Sequence, residues 1–457
     1  MQINDHAKCL SSDQSLLDQL DERYSWHPFS QASERKTFPP IHIKSGKGCW
    51  LEDEEGNRLL DGYASCWTNV HGHRCQELDD AIRAQVDRVS HSTYLGLSSE
   101  PASRVAKKLS GYSGNRLTRT FFTETGACAV EVAIKQSLRF WQLSGQKERK
   151  ELISMSGGYH GDTFATMSLS DESPFTSPWK EWALPVSRFK APTHVELGGE
   201  VSCSEQEESL QDLKRILSER QGEVACVILE PSVQGVAGMT QQPEGFLNEV
   251  SNLCREEGCH LILDEIFVGF GRLGEVLVGE SKGCEADFIC VGKGLSGGYL
   301  PLAACLTGEE IFEAFSGAFS EHRTFYHGHT FTANPLAASV SLASLNLLET
   351  KISKNDLNPR IKWFGKCIRK HFLEHPRVRA VRQRGFTACL DLQAQPGERL
   401  SPKQRFARSV CIEARKNGVL IRPLGNSIPL VPPVCISNDE IDLLCLQTRK
   451  SLDLVNL

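Results

Sequence analysis

The feature that most constrains this chain is a series of short, uninterrupted apolar runs alternating with helical patterns. "RTFFT" leads into the helical stretch "ACAVEVAIKQSLRFW", and "ELISMSG" precedes a glycine turn. "VACVILE" follows a long charged helix, "HLILDEI" follows "FLNEVSNLCREEG", and "DFICVGK" completes the series. A strand that is apolar at every position has both faces covered, and this alternation predicts a parallel sheet between helical layers. Residues 40–62 carry short alternating stretches around Gly46–Gly48 and "EEGN", which predict a small antiparallel meander. After "ANPLAASVSLASLNLLE" the pattern turns to helices with a few strands ("FTACLDL", "VLIRPL"), predicting a smaller α+β lobe. The charged stretch "LQAQPGERLSPKQ" reads as an exposed loop. The expected division is an N-terminal segment 1–75 contributing to the small domain, a large domain over 76–340, and a C-terminal small domain over 341–457.

Composition removes several function classes. A net charge of -6 over 457 residues leaves no electrostatic footprint for nucleic acid. No run approaches the roughly 18 apolar residues of a membrane helix. The N-terminal stretch "MQINDHAKCLSSDQSLLDQLDERYSW" lacks a signal-peptide core and is too acidic for a transit peptide. A soluble cytoplasmic protein is expected. The 17 cysteines include no CxxC pair, which argues against a disulfide framework or a zinc site. Most sit in apolar runs, where a thiol behaves as a small hydrophobe.

In an open α/β sheet, ligands bind beyond the carboxyl ends of the strands. Four such sites stand out. In "TETGACAVE" a strand ends in a small-residue turn at Gly126, Ala127 and Cys128 that opens a helix, the setting of a phosphate site or of an ordinary strand–helix turn. In "SGGYHGDT", Tyr159 and His160 sit on a glycine-flanked turn, where an aromatic face can stack on a planar ligand or merely pack. Asp264 ends the strand in "LILDEIFVGFGRLG", and a carboxylate there needs a hydrogen-bonding or cationic partner, either Arg272 or a protonated ring nitrogen of a cofactor. Lys293, in "FICVGKGLSGG", lies among glycines and apolar residues, a setting that depresses an amine's pKa and makes it reactive. An anion site, a stacking ring, a strand-end carboxylate and a strand-end amine are together the parts that pyridoxal phosphate requires.

"LDEIFVGFGRLG" with "VGKGLSGG" resembles the signature of the class III, fold-type I pyridoxal-phosphate aminotransferases. "WHPF", "DGYASCWTNVHGH", "SGGYHGDT", "EPSVQGVAGM", "FYHGHTFTANPLA" and "IRPLGNSIPLVPP" are similar more narrowly to its 7,8-diaminopelargonic acid synthase branch, which aminates 8-amino-7-oxononanoate in biotin biosynthesis. The likeness spans Trp26 to Pro433. It implies a large domain with a mostly parallel sheet and a smaller α+β domain. It also implies that Lys293 holds the cofactor covalently and shuttles the proton, that Asp264 keeps the ring nitrogen protonated, and that Tyr159 stacks on the ring. Gly126 and Ala127 would bind the phosphate, with His329 and Thr330 completing that site from the partner of a homodimer. Phe29, Cys66, Tyr159, Gly328 and Arg422 would contact substrate, Arg422 through its distal carboxylate. Glu230 and Gln234 would lie near the cofactor.

Departures from the pattern bear on the amino donor. Family members that use S-adenosylmethionine carry two adjacent tryptophans where this chain reads Cys66–Trp67. The small residue, with "FYHGH" in place of "HGPT", resembles a subgroup that takes lysine, the donor expected here. Phe29 stands for a tyrosine of some relatives, a loss of one hydrogen bond worth roughly 1 kcal/mol. Val268 replaces the usual threonine, and Cys128 reads as a partly buried small residue. The competing readings are an ω-amino acid or diamine aminotransferase and a non-catalytic relative kept for binding. Arg422 discriminates against the first, and the intact Lys293, Asp264 and Tyr159 against the second.

Overall fold

The computed structural model describes residues 15–192 and 203–456. The expected meander is formed by β1 (Ile43–Lys47), β2 (Trp50–Asp53) and β3 (Arg58–Asp61), paired antiparallel. The central sheet begins with β4 (Arg119–Thr123), β5 (Glu151–Met155), β6 (Ser187–Phe189) and β7 (Val224–Leu229). A short hairpin, β8 (Val233–Gln234) with β9 (Thr240–Gln241), follows. The sheet is completed by β10 (His260–Asp264), β11 (Phe288–Val291) and β12 (Ala303–Thr307). Its seven strands run in the order β4-β12-β11-β10-β7-β5-β6, with only β12 antiparallel to its neighbours. Every residue of β7, β10 and β11 is buried, as continuous apolar strands between two helical layers require.

The periodicity does not anticipate β12. Its run, "AACLT", comes so soon after β11 that no crossover helix separates them, and an antiparallel return needs none. The remaining strands are β13 (Val378–Arg384), β14 (Thr387–Leu392), β15 (Val419–Leu420) and β16 (Ser427–Leu430). β13, β14 and β16 form a three-stranded antiparallel sheet. β15 pairs parallel with β3, so the N-terminal meander is completed by chain from beyond residue 400. Cys49 and Cys435 meet across the same seam with their sulfurs 3.6 Å apart. The stretch expected as an exposed loop is exposed over 395–399 and at Ser401, Lys403 and Gln404, but Leu392, Gln393, Ala394 and Leu400 are buried, and the Gln393 side chain holds the backbone at Pro376.

Two core histidines make stability depend on pH. His260 opens β10 with Nδ1 2.8 Å from Ser137 Oγ and its ring stacked on Trp141. His71 lies with Nε2 3.0 Å from Ser344 Oγ. Burial pushes each imidazole down to about 3, helped at His71 by the Lys351 charge and at His260 by that of Arg149. Unfolding lets both take up a proton near the ordinary 6.5. Their contribution is therefore complete above pH 6.5 and lost as pH falls toward 3, each at up to about 1.4 kcal/mol per pH unit. Urea midpoints are expected to fall from pH 7.5 to pH 5, and His260→Gln to flatten that slope at equal m-value. A slope unchanged by the substitution would contradict the assignment.

Candidate active site

The carboxyl ends of β4, β5, β7, β10 and β11 open on one edge of the sheet, and a cavity of about 430 Å³ lies there. It is lined by Gly126, Ala127, Tyr159, Asp264 and Lys293, which come from four separate loops. These five bring all four anticipated sites together; Gly126 and Ala127 share one loop.

At the end of β4, Thr125 caps the helix Gly126–Leu143. Its hydroxyl accepts from the N–H of Cys128 at 3.2 Å, and its carbonyl accepts from that of Ala129. The N–H groups of Gly126 and Ala127 have no intrahelical acceptor and stand at the cavity, where helix geometry and the macrodipole favour an anion. The backbone is packed too closely here for side chains. A Cβ at Gly126 would lie 2.7 Å from Ile266, and one at Gly161 would lie 2.5 Å from the Ala127 methyl. This cradle fits a phosphate.

Asp264, at the end of β10, is buried. Its partner is His160 and not Arg272: Nδ1 of His160 lies 2.8 Å from Oδ2, while Oδ1 accepts from the Ile266 N–H at 3.2 Å. Arg272 is buried elsewhere, donating to the carbonyls of Pro432, Asn69 and Phe386. His160 thus orients the carboxylate from behind, and its own Nε2 is buried without a partner. In the sequence His160 stands only as a companion of Tyr159. Its signal was position, one residue after the ring on a strand-end turn.

Lys293 follows β11 in a short 3-10 turn at φ +40°, a left-handed conformation that a side chain adopts at a cost. Its amine stands 5.2 Å from the Trp67 ring centre and 5.5 Å from that of Phe267. Burial pushes the ammonium below the ordinary lysine range, and the Asp264 charge opposes that shift. The neutral amine is therefore more accessible than in a surface lysine, as a nucleophile needs. Glu230, at the end of β7, is pushed up to about 7 by burial; its carboxylate accepts from the N–H groups of Gly235 and Tyr159. It fixes the Tyr159 loop. Gln234 donates to the Ser156 carbonyl on the same loop.

Cys66 and Trp67 belong to a turn that sequence patterning did not reveal. Ala64, Ser65, Cys66 and Trp67 all have φ between 45° and 69°. Four consecutive left-handed residues without glycine need an external brace, and the buried Asp61 supplies it. Its Oδ1 accepts from the N–H groups of Tyr63 and Ser65, and its Oδ2 from the Ser65 hydroxyl and from His73. The turn sends Trp67 under Lys293 and leaves Cys66 exposed. Removing the brace (Asp61→Ala) is expected to cost about 3 kcal/mol or more, the scale of breaking a buried network. Chemical denaturation checks this; a change below about 1 kcal/mol would show that the turn holds itself.

A second cavity of about 380 Å³ lies beyond this turn, lined by Phe29, Tyr63 and Arg422 among others. Two aromatic paths join the cavities. Tyr63 lines the second, lies 3.6 Å from Cys66 Sγ and packs edge-on against Trp67, which lines the first. Tyr159 packs on Phe175, and Phe175 on Phe29. Gly328, His329 and Thr330 line neither cavity; His329 instead lies 3.1 Å from Glu124, and Thr330 is exposed.

Comparison with known proteins agrees with this geometry. The model of the family described as aminotransferase class-III matches residues 30–452. The chain is 39% identical to the adenosylmethionine-8-amino-7-oxononanoate aminotransferase of Geobacter sulfurreducens, covering 97% of this chain and 98% of that one. The crystal structure of the enzyme of that name from Methanocaldococcus jannaschii superposes with a TM-score of 0.91 at 37% identity, over 97% of this chain and 99% of the other. A PLP-bound amine transaminase from an uncultivated Pseudomonas species has a TM-score of 0.87 at 27% identity, over 94% and 98% of the two chains. With the phosphate cradle, the Asp264–His160 pair and Lys293 gathered at one cavity, these matches establish that the chain belongs to the class III aminotransferases, fold-type I enzymes that work with pyridoxal phosphate.

Proposed function

We propose that this enzyme transfers an amino group to 8-amino-7-oxononanoate, giving 7,8-diaminononanoate for biotin synthesis. The observation that carries this reading is the second cavity. It sets a guanidinium, Arg422, apart from the reactive amine, with packed aromatic side chains between the two cavities. A carbonyl set near one end of a long aliphatic chain and a carboxylate at the other suit an amine and a guanidinium on different cavities, whereas a short amino acid or a diamine brings no carboxylate to Arg422.

Pyridoxal phosphate, when bound, supplies an electron sink that makes the carbon beside an attached nitrogen acidic. The protein's own groups do the rest. Gly126 and Ala127 would hold its phosphate, Asp264 with His160 behind it would keep its ring nitrogen protonated, and Tyr159 would stack on its ring. Lys293 would hold the cofactor covalently, and its amine, once free, would serve as the acid–base group that moves a proton at the reacting carbons. Trp67 and Phe267 keep water from the amine. His329, Thr330 and Gly328 act on the site of a second copy in a homodimer. The exposure of Tyr326, Phe331 and Leu95 beside that loop supports this placement. A reducing cytoplasmic setting suits the fifteen free cysteines among the described residues.

The donor is lysine, a reading that rests on the small, exposed Cys66, which lines neither cavity but lies beside Tyr63 of one and Trp67 of the other. Product formation by mass spectrometry tests both halves. With 8-amino-7-oxononanoate as acceptor, lysine is expected to exceed S-adenosylmethionine by about tenfold or more, and Cys66→Trp to reverse the preference by restoring an aromatic wall. A wild-type preference for S-adenosylmethionine, the donor in the relatives' names, would overturn the donor reading and leave the acceptor reading intact. Efficient turnover of diamines with none of the oxononanoate would overturn the acceptor reading.

A further inference from the structure

The second cavity carries more positive charge than one carboxylate-binding arginine explains. The helix Phe406–Lys416 buries Phe406, Ala407, Val410 and Ala414 in the core. Its residues 408, 412 and 415, spaced i, i+4, i+7, line the cavity as one face. Arg408 and Arg415 therefore enter the space that Arg422 reaches from the end of β15. Two further arginines at its wall are neutralised locally: Arg35 pairs with Asp21, and Arg405 with Glu34 at 2.6 Å. Arg415 donates to the Pro39 carbonyl at 3.0 Å.

Arg415 and Arg408 both bury a guanidinium Nε without a hydrogen-bond partner, but among the described residues Arg408 lacks the backbone carbonyl that Arg415 has. Among the described residues no carboxylate pairs with it; its guanidinium lies over the Phe38 ring at 5.1 Å, and its Nε is buried without a hydrogen-bond partner. Burial pushes its pKa below the ordinary arginine range, and the neighbouring charges of Arg405 and Arg422 add to that. Like charges gathered in a half-enclosed cavity repel, and an unmet buried donor costs stability. An anion lying between Arg408 and Arg422 removes both penalties.

We propose that Arg408 and Arg422 form a two-arginine clamp on the terminal carboxylate of a medium-chain acceptor, with Arg408 a substrate-binding residue that selects acids over amines. The inference rests on the acceptor reading above for the identity of the substrate, but not for the clamp itself. Two planar forks can engage both carboxylate oxygens, which a single ammonium cannot do.

The test uses the cofactor-loaded enzyme and nonanoate, an unreactive medium-chain acid, with nonyltrimethylammonium, a cation that cannot condense with the cofactor, as the opposite-charge control. Calorimetry is expected to show nonanoate binding that weakens about 10- to 100-fold in Arg408→Gln, the range of a charge-assisted hydrogen bond. Arg408→Lys, which keeps charge and stem, is expected to recover only part of the affinity, and nonyltrimethylammonium to gain rather than lose in Arg408→Gln. In turnover, Arg408→Gln is expected to raise KM for 8-amino-7-oxononanoate at least about tenfold with kcat within threefold. Unchanged nonanoate affinity in Arg408→Gln, beside its loss in Arg422→Gln, would overturn the clamp. So would full recovery by Arg408→Lys, the variant that decides if Arg408→Gln does not fold. Arg408-dependent nonanoate binding without turnover of the oxononanoate would keep the clamp and remove the substrate assignment.

Discussion

Lys293→Ala is expected to leave a folded protein that binds pyridoxal phosphate without attaching it and whose transamination falls by about 10⁴-fold or more, the upper end of what a positioned acid–base group contributes. The amine makes its contacts over the faces of Trp67 and Phe267, and no ion pair among the described residues depends on it. Its removal takes a desolvated charge out of the interior, so the melting temperature should hold or rise. Borohydride reduction followed by peptide mapping reads the attachment directly. The wild-type peptide containing residue 293 should carry the cofactor mass, and the variant should carry none. A reduced cofactor found on another lysine would reassign the site.

Asp264→Asn is expected to produce the next largest loss. The carboxylate has one oxygen on His160 and the other on the Ile266 N–H, so the amide keeps the shape but loses the charge and turns one acceptor, the one facing His160, into a donor. Truncating a buried hydrogen-bonded charge costs about 2–5 kcal/mol, which corresponds to roughly 30- to 5,000-fold in rate. His160→Gln should give a smaller loss, because it removes the orienting ring but not the charge that faces the cofactor. Equal losses in the two variants would mean that the pair acts as one unit. A faster His160→Gln than wild type would contradict an orienting role.

The strands that position the site were legible because each is buried on both faces and reads as an unbroken apolar run, as β7, β10 and β11 do. β12 escaped because a five-residue antiparallel return beside β11 leaves no helix to mark it. Lys293 and Asp264 were found for a related reason: a charge next to a run of buried positions demands an explanation. What the sequence could not convey were partnerships made across the fold. His160 reaches Asp264 over 104 positions, and Arg272, the nearer cation, is spent on three backbone carbonyls. The left-handed turn at 64–67 was hidden because no glycine marks it, its brace being the side chain of Asp61. Arg408 was hidden because one arginine on an amphipathic helix looks like any other until the cavity it faces is known.

The central claim is that one cavity accepts nitrogen from a donor and returns it to a carbonyl whose far end is held at Arg422. Single-turnover absorbance on the cofactor-loaded enzyme tests this most directly, with donor added first and 8-amino-7-oxononanoate second. The expected result is a donor-driven loss of the initial cofactor band, restored stoichiometrically by the oxononanoate, with Arg422→Ala raising the oxononanoate concentration needed by about tenfold or more. A band that the donor converts but that the oxononanoate never restores would contradict the acceptor assignment and leave a class III aminotransferase with a different partner.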